Sequence, residues 1–232
     1  MFCQPPSASG KPSPPRPRPA NPPRPRLRRK HQPHALRFDA PPLFGLDWAW
    51  GAMEIKPFKR TGARFACRYL SYDPGKNLTN HEARNLSHAG IFTVVVWETT
   101  ANRAAEGWEA GHADAVEAAK QADACGKPDG RPIYFAIDFD ADGAQVDGYF
   151  AGARHHLGAH RMGAYGGIRP LRHLRETGLI DYEWQTYAWS GGAWSPTAQL
   201  HQYSNGHNVG GVDCDYNRST RHDFGQWLHD DK

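Results

Sequence analysis

Residues 134–140 read Tyr-Phe-Ala-Ile-Asp-Phe-Asp, an apolar run that ends in two carboxylates two residues apart. A continuous apolar run of this kind is typical of a strand buried on both faces, and we predict a strand over residues 132–139. Because side chains alternate between the faces of a strand, we expect Asp138 and Asp140 to point the same way. Carboxylates that share a face raise each other's pKa, which favours acid/base chemistry or the binding of a cation.

Strands and helices alternate on both sides of this run, from residue 43 onward. Helices are predicted after Ala52, from an N-cap at Thr79, and over residues 108–124, 146–157 and 170–177. The other strands are predicted over residues 43–48, 64–70, 91–97, 162–165, 184–189, 199–203 and 211–215. This order predicts an α/β fold, a single closed, parallel TIM-like (β/α)8 barrel with an irregular last third. An open doubly wound sheet is the alternative, but the Gly-rich turn that it normally carries after its first strand is missing.

Composition divides the chain into a tail and a folded part. Residues 1–42 hold 13 of the 19 prolines, and residues 1–40 carry nine Lys or Arg against one acid. A Pro/Arg-rich segment with few large apolar residues cannot offset its ordering entropy, so we predict that residues 1–42 are disordered. The tail accounts for the positive sign of the net charge of +4. It allows weak contact with nucleic acid or with anionic envelope polymers, and a linker role is the simpler alternative. The barrel domain is predicted over residues 43–228.

Targeting signals are incomplete in this sequence. Arg28 and Arg29 form a twin-arginine pair, but no apolar segment follows them, so no signal peptide is recognisable. No stretch approaches the roughly 18 apolar residues that a membrane-spanning helix needs. We therefore predict no membrane span.

In a barrel of this type, functional side chains collect at the carboxyl ends of the strands. The acids at these ends form the candidate catalytic set, which is Asp47, Glu98, Asp138, Asp140 and Asp213. Other side chains at the same ends form the candidate substrate-binding set, which is Tyr69, Tyr165, Tyr187, Trp189, Gln202 and Asp215. The first and eighth strands are neighbours in a closed barrel, so Asp47 and Asp213 are expected to lie close together.

Acids and aromatic side chains at one rim suit the hydrolysis of a glycosidic bond. That reaction needs a protonated acid beside an ionised carboxylate, and crowding can hold one carboxyl group protonated near neutral pH. Alternatives remain at single positions, because an Asp at a strand end is commonly a cap or a turn former. Glu98 can instead pair with Arg68 or Arg103. A divalent cation bound by carboxylates is a minor alternative, and the prediction includes no metal and no cofactor.

Several phrases of the sequence resemble known families. Gly-Leu-Asp at residues 45–47, the acidic fourth strand, His-Gln-Tyr at 201–203 and Gly-Val-Asp-Cys-Asp-Tyr-Asn at 211–217 resemble the family 25 glycoside hydrolases, the lysozyme-like muramidases. A closer resemblance is to the glycoside-hydrolase-like family formerly catalogued as domain of unknown function 1906. Its phrases are Arg-Tyr-Leu at residues 68–70, Trp-Glu-Thr-Thr at 97–100, Gln-Thr-Tyr-Ala-Trp-Ser at 185–190 and Gly-Gly-Val-Asp-Cys-Asp at 210–215.

The resemblance implies a TIM-like barrel that acts on peptidoglycan or a related glycan, in the cell envelope or after secretion. In the muramidases, the fourth-strand motif is Asp-x-Glu and its Glu is the general acid, whereas this chain has Asp140 at that position. Asp is one methylene shorter, so either the pocket is tighter, or Glu98 on the adjacent strand supplies the acid, or turnover is lost. Asp138 would stabilise the oxocarbenium-like centre or orient an N-acetyl group, while Asp47 and Asp213 would tune and position these carboxyl groups.

Three hypotheses follow from these observations. The first is a monomeric glycosidase of the muramidase type, whose partner is a peptidoglycan-type glycan. The second is a non-catalytic glycan-binding barrel that has lost the general acid. The third and weakest is nucleic-acid binding through the basic tail.

Overall fold

A computed structural model describes residues 42–229 of the chain, with the side chain of Ala159 left out. The predicted disorder of the tail, its twin-arginine pair and its contact with nucleic acid lie outside the described residues. Among residues 42–229, no helix is long and apolar enough to cross a membrane.

Within the described residues 42–229, eight strands form one closed barrel in the order β1 to β8, with five α-helices between them. The strands are β1 Phe44–Trp48, β2 Phe65–Leu70, β3 Phe92–Trp97, β4 Ile133–Ala136, β5 Met162–Gly166, β6 Tyr182–Thr186, β7 Leu200–Val209 and β8 Val212–Ser219. The helices are α1 Ile55–Arg60, α2 Asn80–His88, α3 Trp108–Ala124, α4 Asp147–Leu157 and α5 Ile168–Glu176. The prediction of a (β/α)8-like barrel with few helices in its last third is confirmed.

The prediction that all strands run parallel is wrong for β8. Neighbouring strands from β1 to β7 are parallel, whereas β8 is antiparallel to both β7 and β1. The cause is the connection of only two residues, Gly210 and Gly211, both with positive φ. Such a loop forms a tight hairpin, while a parallel crossover needs a dozen residues or more.

Period-two alternation along the strands separates the inside of the barrel from its helix-covered outside. On β2, Phe65 and Cys67 belong to the buried cluster that also contains Val94, Tyr134 and Trp184. Ala66, next to them in the chain, packs instead with Phe58 of α1. Since successive side chains of a strand face opposite ways, each strand contributes a column of residues to the interior. The last member of each column lies at the mouth of the barrel, where the strands from β1 to β7 end.

The fourth strand is shorter than the sequence indicates. It ends at Ala136, although the ladder continues for one bond, from the Ile137 amide to the Tyr165 carbonyl at 2.8 Å. A tight turn follows, with the Ala141 amide donating to the Phe139 carbonyl at 2.8 Å. The predicted strand over residues 132–139 is therefore wrong at its end, and its alternation does not extend to Asp140.

Candidate active site

A buried carboxyl group, Asp47, occupies the mouth of the barrel near the end of β1. Its Oδ2 accepts hydrogen bonds from Asn217 Nδ2 at 2.6 Å and Gln202 Nε2 at 3.0 Å, and its Oδ1 accepts one from the Tyr69 hydroxyl at 3.3 Å. Burial, followed by the charge of Asp215, raises the pKa of Asp47 to about 7. The three hydrogen bonds oppose this shift without cancelling it. Asp47 is thus a carboxyl group that exchanges its proton near neutral pH.

The amide of Gln202 connects the two sides of the mouth. Its Oε1 accepts hydrogen bonds from the Tyr165 hydroxyl at 2.8 Å and from Thr186 Oγ1 at 3.0 Å. Its Nε2 donates to Asp47 and, at 3.2 Å, to Asp215 Oδ2. Because two hydroxyl donors hold the oxygen, the amide hydrogens can only face the carboxylates. The network therefore fixes the positions of both carboxyl groups.

Asp215 lies beside Asp47, at the position where the sequence predicts Asp213. The antiparallel register pairs Asp47 with Asp215, whereas Asp213 pairs with Asn208 near the tip of the β7–β8 hairpin. Asp213 is exposed and accepts a hydrogen bond from Asn208 Nδ2 at 2.8 Å. The expectation that Asp47 and Asp213 are neighbours is wrong, because reversal of β8 moves Asp213 toward the tip of the hairpin.

A second carboxyl pair, Glu98 and Asp138, follows the ends of β3 and β4. Burial raises the pKa of Glu98, and the charge of Asp138 adds to this effect. Burial also raises the pKa of Asp138. Burial raises the pKa of the partly buried Tyr165, and the charges of Asp47, Asp138 and Glu98 raise it further. The two carboxyl pairs therefore share one electrostatic environment at the mouth.

Lys76, a buried residue of the β2–α2 loop, is the ion-pair partner of Glu98. Its Nζ lies 2.5 Å from Glu98 Oε1, 4.6 Å from the centre of the Tyr69 ring and 5.3 Å from that of Trp50. Neither alternative partner of Glu98 is used, because Arg68 pairs with Glu82, and Arg103 with Asp114 and Glu106. The ammonium favours the ionised form of Glu98 and thus opposes the effect of burial.

Replacing Lys76 with Met is expected to raise the pKa of Glu98 further, because the hydrogen bond and the charge that lower it both disappear. The measurement is a pH titration of the protein labelled with ¹³C at the Glu side-chain carboxyl, followed by NMR. Lys59→Met, on the exposed surface of α1, serves as the control. An unchanged Glu98 titration in Lys76→Met contradicts the assignment of this ion pair.

A cleft of about 530 Å³ opens at the mouth beside Asp47. Trp50, which is 62% exposed, and Tyr69 contribute aromatic surface to it, whereas the Trp48 ring is buried against Phe58. Asp213 and Asp215 line the same cleft from the hairpin. Exposed aromatic faces beside carboxyl groups provide an apolar platform next to hydrogen-bonding groups, as a sugar ring requires. Among residues 42–229, no cluster of three or more His, Cys, Asp or Glu side chains has the arrangement of a metal site.

Three predicted site residues lie apart from these carboxyl pairs. Asp140 is 59% exposed and forms an ion pair with Arg169 at 2.5 Å, on the turn that follows β4. Tyr187 and Trp189 are partly exposed on the loop after β6, and neither lines the cleft. The expected sharing of a face by Asp138 and Asp140 is wrong, because the chain leaves the strand before it reaches Asp140.

Sequence reasoning also missed residues that contribute to the mouth. Asn217 continues the two-residue spacing of Asp213 and Asp215, a signal that was available had the eighth strand been extended. The Trp184 indole donates to Asn217 Oδ1 at 2.8 Å, which fixes the orientation of this amide. Lys76 lies in a loop, where no periodicity marks it.

Comparison with known proteins places the chain in a family. A model of the family described as Rv2525c-like, glycoside hydrolase-like domain matches residues 56–219. Rv2525c of Mycobacterium tuberculosis, which is named as a candidate peptidoglycan hydrolase, is 30% identical over 200 residues that cover 78% of this chain and 82% of the relative. The crystal structure of Tat-secreted Rv2525c with L-tartrate has a TM-score of 0.76 at 29% identity, covering 80% of this chain and 98% of the other.

More distant similarity extends to a lysozyme. The enzyme from Streptomyces coelicolor has a TM-score of 0.53 at 17% identity, covering 79% of this chain and 94% of the other, which is a likeness of fold. The resemblance drawn from the sequence phrases is confirmed by the family match. The chain belongs to the Rv2525c-like family of glycoside hydrolase-like domains.

Proposed function

We propose that this barrel hydrolyses O-glycosidic bonds of a peptidoglycan-type glycan by carboxylate acid/base chemistry. The observation that carries the proposal is the presence of four carboxyl groups with raised pKa at one mouth, which are Asp47, Glu98, Asp138 and Asp215. Glycosidic hydrolysis requires one carboxyl group that holds a proton and another that is ionised. Crowded, partly buried carboxyl groups meet this requirement near neutral pH.

Glu98 is the proton donor in this mechanism, and Asp138 is the carboxylate that stabilises the positive charge of the oxocarbenium-like centre. Glu98 remains accessible, with 19% of its side chain exposed, and Oε1 alone is held by Lys76. Oε2 can therefore carry the proton toward the leaving-group oxygen. Asp47 and Asp215, fixed through Gln202, orient the sugar in the cleft. Asp140 has no part in proton transfer, because Arg169 holds it outside the mouth.

The names given to one similar protein, Rv2525c, support the choice of substrate and location. Rv2525c is named as a candidate peptidoglycan hydrolase and described as Tat-secreted. Because the proposed substrate is a glycan of the cell envelope, we propose that this chain also acts in the envelope or after secretion. We include action as a monomer in the proposal, since all the proposed groups come from one chain.

A glycan-binding barrel without turnover is the second candidate. The ion pair between Lys76 and Glu98 favours it, because an ionised Glu98 cannot donate a proton. This candidate retains the aromatic and hydrogen-bonding groups of the cleft. It predicts saturable binding of glycan fragments with no release of product.

Incubation of the full chain with purified peptidoglycan sacculi separates the two candidates. The hydrolytic proposal expects new reducing ends and a loss of turbidity, with products identified by mass spectrometry. Heat-inactivated protein provides the blank. Binding to the sacculi without new reducing ends contradicts hydrolysis and supports the binding barrel.

A further inference from the structure

A second cavity, which we call the side pocket, opens next to the cleft. It has a volume of about 600 Å³ and lies between the β1–α1 loop, the β2–α2 loop and the first turns of α2. Both loops leave the carboxyl ends of their strands, which is the face where barrels of this type bind ligands. Gly51 lines both the cleft and the side pocket, so the two cavities meet at this residue.

The walls of the side pocket differ chemically from those of the cleft. Met53, Ile55 and Leu86 supply aliphatic surface, and His81 carries the one aromatic ring among the described residues that line the pocket. The cleft, in contrast, has the exposed Trp50 ring and Tyr69 in its lining. Flat aromatic faces suit sugar rings, whereas aliphatic walls suit the aliphatic side chains of amino acids. The side pocket is therefore the less suitable of the two for a sugar.

Its polar groups fit an uncharged amide. The buried Arg68 guanidinium donates to Glu82 at 2.6 Å and to the Trp48 carbonyl, so its charge is already compensated. A carboxylate or phosphate would thus find no free cation in Arg68. An N–H donor, such as a peptide backbone amide, does not need one.

Asn77 lines the side pocket and carries a buried acceptor that lacks a donor. Its Nδ2 donates to the Ser71 carbonyl at 2.9 Å, whereas its buried Oδ1 has no hydrogen-bond partner within the described part of the chain. Leaving a buried acceptor without a donor is unfavourable. If the Asn77 side chain turns toward the side pocket when a ligand binds, a ligand amide supplies the missing hydrogen bond.

We infer that the side pocket binds a short peptide branch carried by the glycan that occupies the cleft. The inference rests on the proposed function for the glycan, but not on its hydrolysis. Since the cavities meet at Gly51, a branch that leaves a sugar in the cleft can enter the pocket without crossing the body of the barrel. Peptide-substituted glycan is thus preferred over bare glycan.

Binding measurements with two probes test this inference. The probes are the N-acetylglucosaminyl-N-acetylmuramic acid disaccharide and the same disaccharide carrying a tetrapeptide, titrated calorimetrically into the full chain. We expect the peptide-bearing probe to bind about tenfold more tightly. In Ala52→Trp, the new indole fills the side pocket, and this advantage should disappear. Asn85→Trp, at an exposed pocket position on α2, provides a second variant with the same expectation.

Arg84→Trp, on the exposed surface of the same helix but outside the pocket, is the matched control and should keep the tenfold advantage. Equal affinity of the wild-type chain for the two probes overturns the inference, as does an equal loss in Ala52→Trp and Arg84→Trp. Tighter binding of the peptide-bearing probe, together with no release of reducing ends from peptidoglycan sacculi, supports the side pocket and contradicts only the hydrolytic proposal.

Discussion

Replacing Glu98 with Gln is expected to lower the rate of glycan hydrolysis roughly a thousandfold, the usual contribution of a general acid. Gln has nearly the same shape but carries no transferable proton, so binding of the glycan should change little. The measurement is the initial rate of reducing-end release from peptidoglycan, together with the affinity for an unreactive fragment. Asp138→Asn should also abolish most of the activity, because the developing positive charge loses its carboxylate.

Asp140→Asn is the informative comparison for this prediction. In the wild type, both side chains of the Asp140–Arg169 ion pair are exposed. Exposed ion pairs contribute only about 0–1 kcal/mol to the free energy of unfolding. We expect the variant to keep its rate within about threefold of the wild type, since the carboxylate does not reach the mouth. A large loss in Asp140→Asn with full activity in Glu98→Gln would reverse the assignment of the acid.

Replacing Asp47 with Asn is expected to stabilise the protein at high pH. The pKa of Asp47 rises from 3.8 to about 7 on folding, because burial and the neighbouring Asp215 disfavour its ionised form. Between about pH 4 and about pH 7, the folded state therefore keeps the proton of the Asp47 carboxyl group, whereas the unfolded state has released it. The contribution of Asp47 to the free energy of unfolding is therefore fully present below about pH 4, and it is lost as the pH rises toward 7. Asn has no proton to lose and keeps a side-chain oxygen for Gln202 and Asn217.

Urea denaturation of the wild type and Asp47→Asn across this pH range measures the effect. The free energy of unfolding of Asp47→Asn minus that of the wild type should be on the order of 3 kcal/mol larger above about pH 7 than at about pH 4. Asp213→Asn is the control, because that carboxyl group is exposed at the hairpin. A constant difference between wild type and Asp47→Asn at all pH values would show that Asp47 does not titrate near neutrality.

The residues at the mouth illustrate what alternation along a strand can predict. Asp47, Tyr69, Tyr165 and Gln202 were expected at the carboxyl ends of separate strands, and direct or shared hydrogen bonds join them there. This success has a local cause, since period-two alternation requires only the backbone of each strand. Barrel closure then converts separate strand ends into one ring.

The reversed eighth strand had a sequence signal of its own. Gly210 and Gly211 lie between Val209 and Val212, which pair in the hairpin. Two glycines between apolar residues are typical of a two-residue hairpin loop, because both positions require positive φ. A seventh strand predicted to end at residue 203 leaves several residues before the eighth strand, which hides this two-residue loop. The sequence therefore predicts the wrong direction for the eighth strand, since β7 in fact extends to Val209.

By itself, the sequence determined the barrel, the order of its strands and six inward-facing candidates at their ends, which are Asp47, Tyr69, Glu98, Asp138, Tyr165 and Gln202. Only the tertiary structure decided which acids interact. In the folded chain, Glu98 forms an ion pair with Lys76 of the β2–α2 loop, and Asp215 lies beside Asp47. Asp140 forms an ion pair with Arg169 instead of reaching the mouth. The physical reason is that alternation is local to a strand, whereas ion pairs and burial depend on segments far apart in the chain.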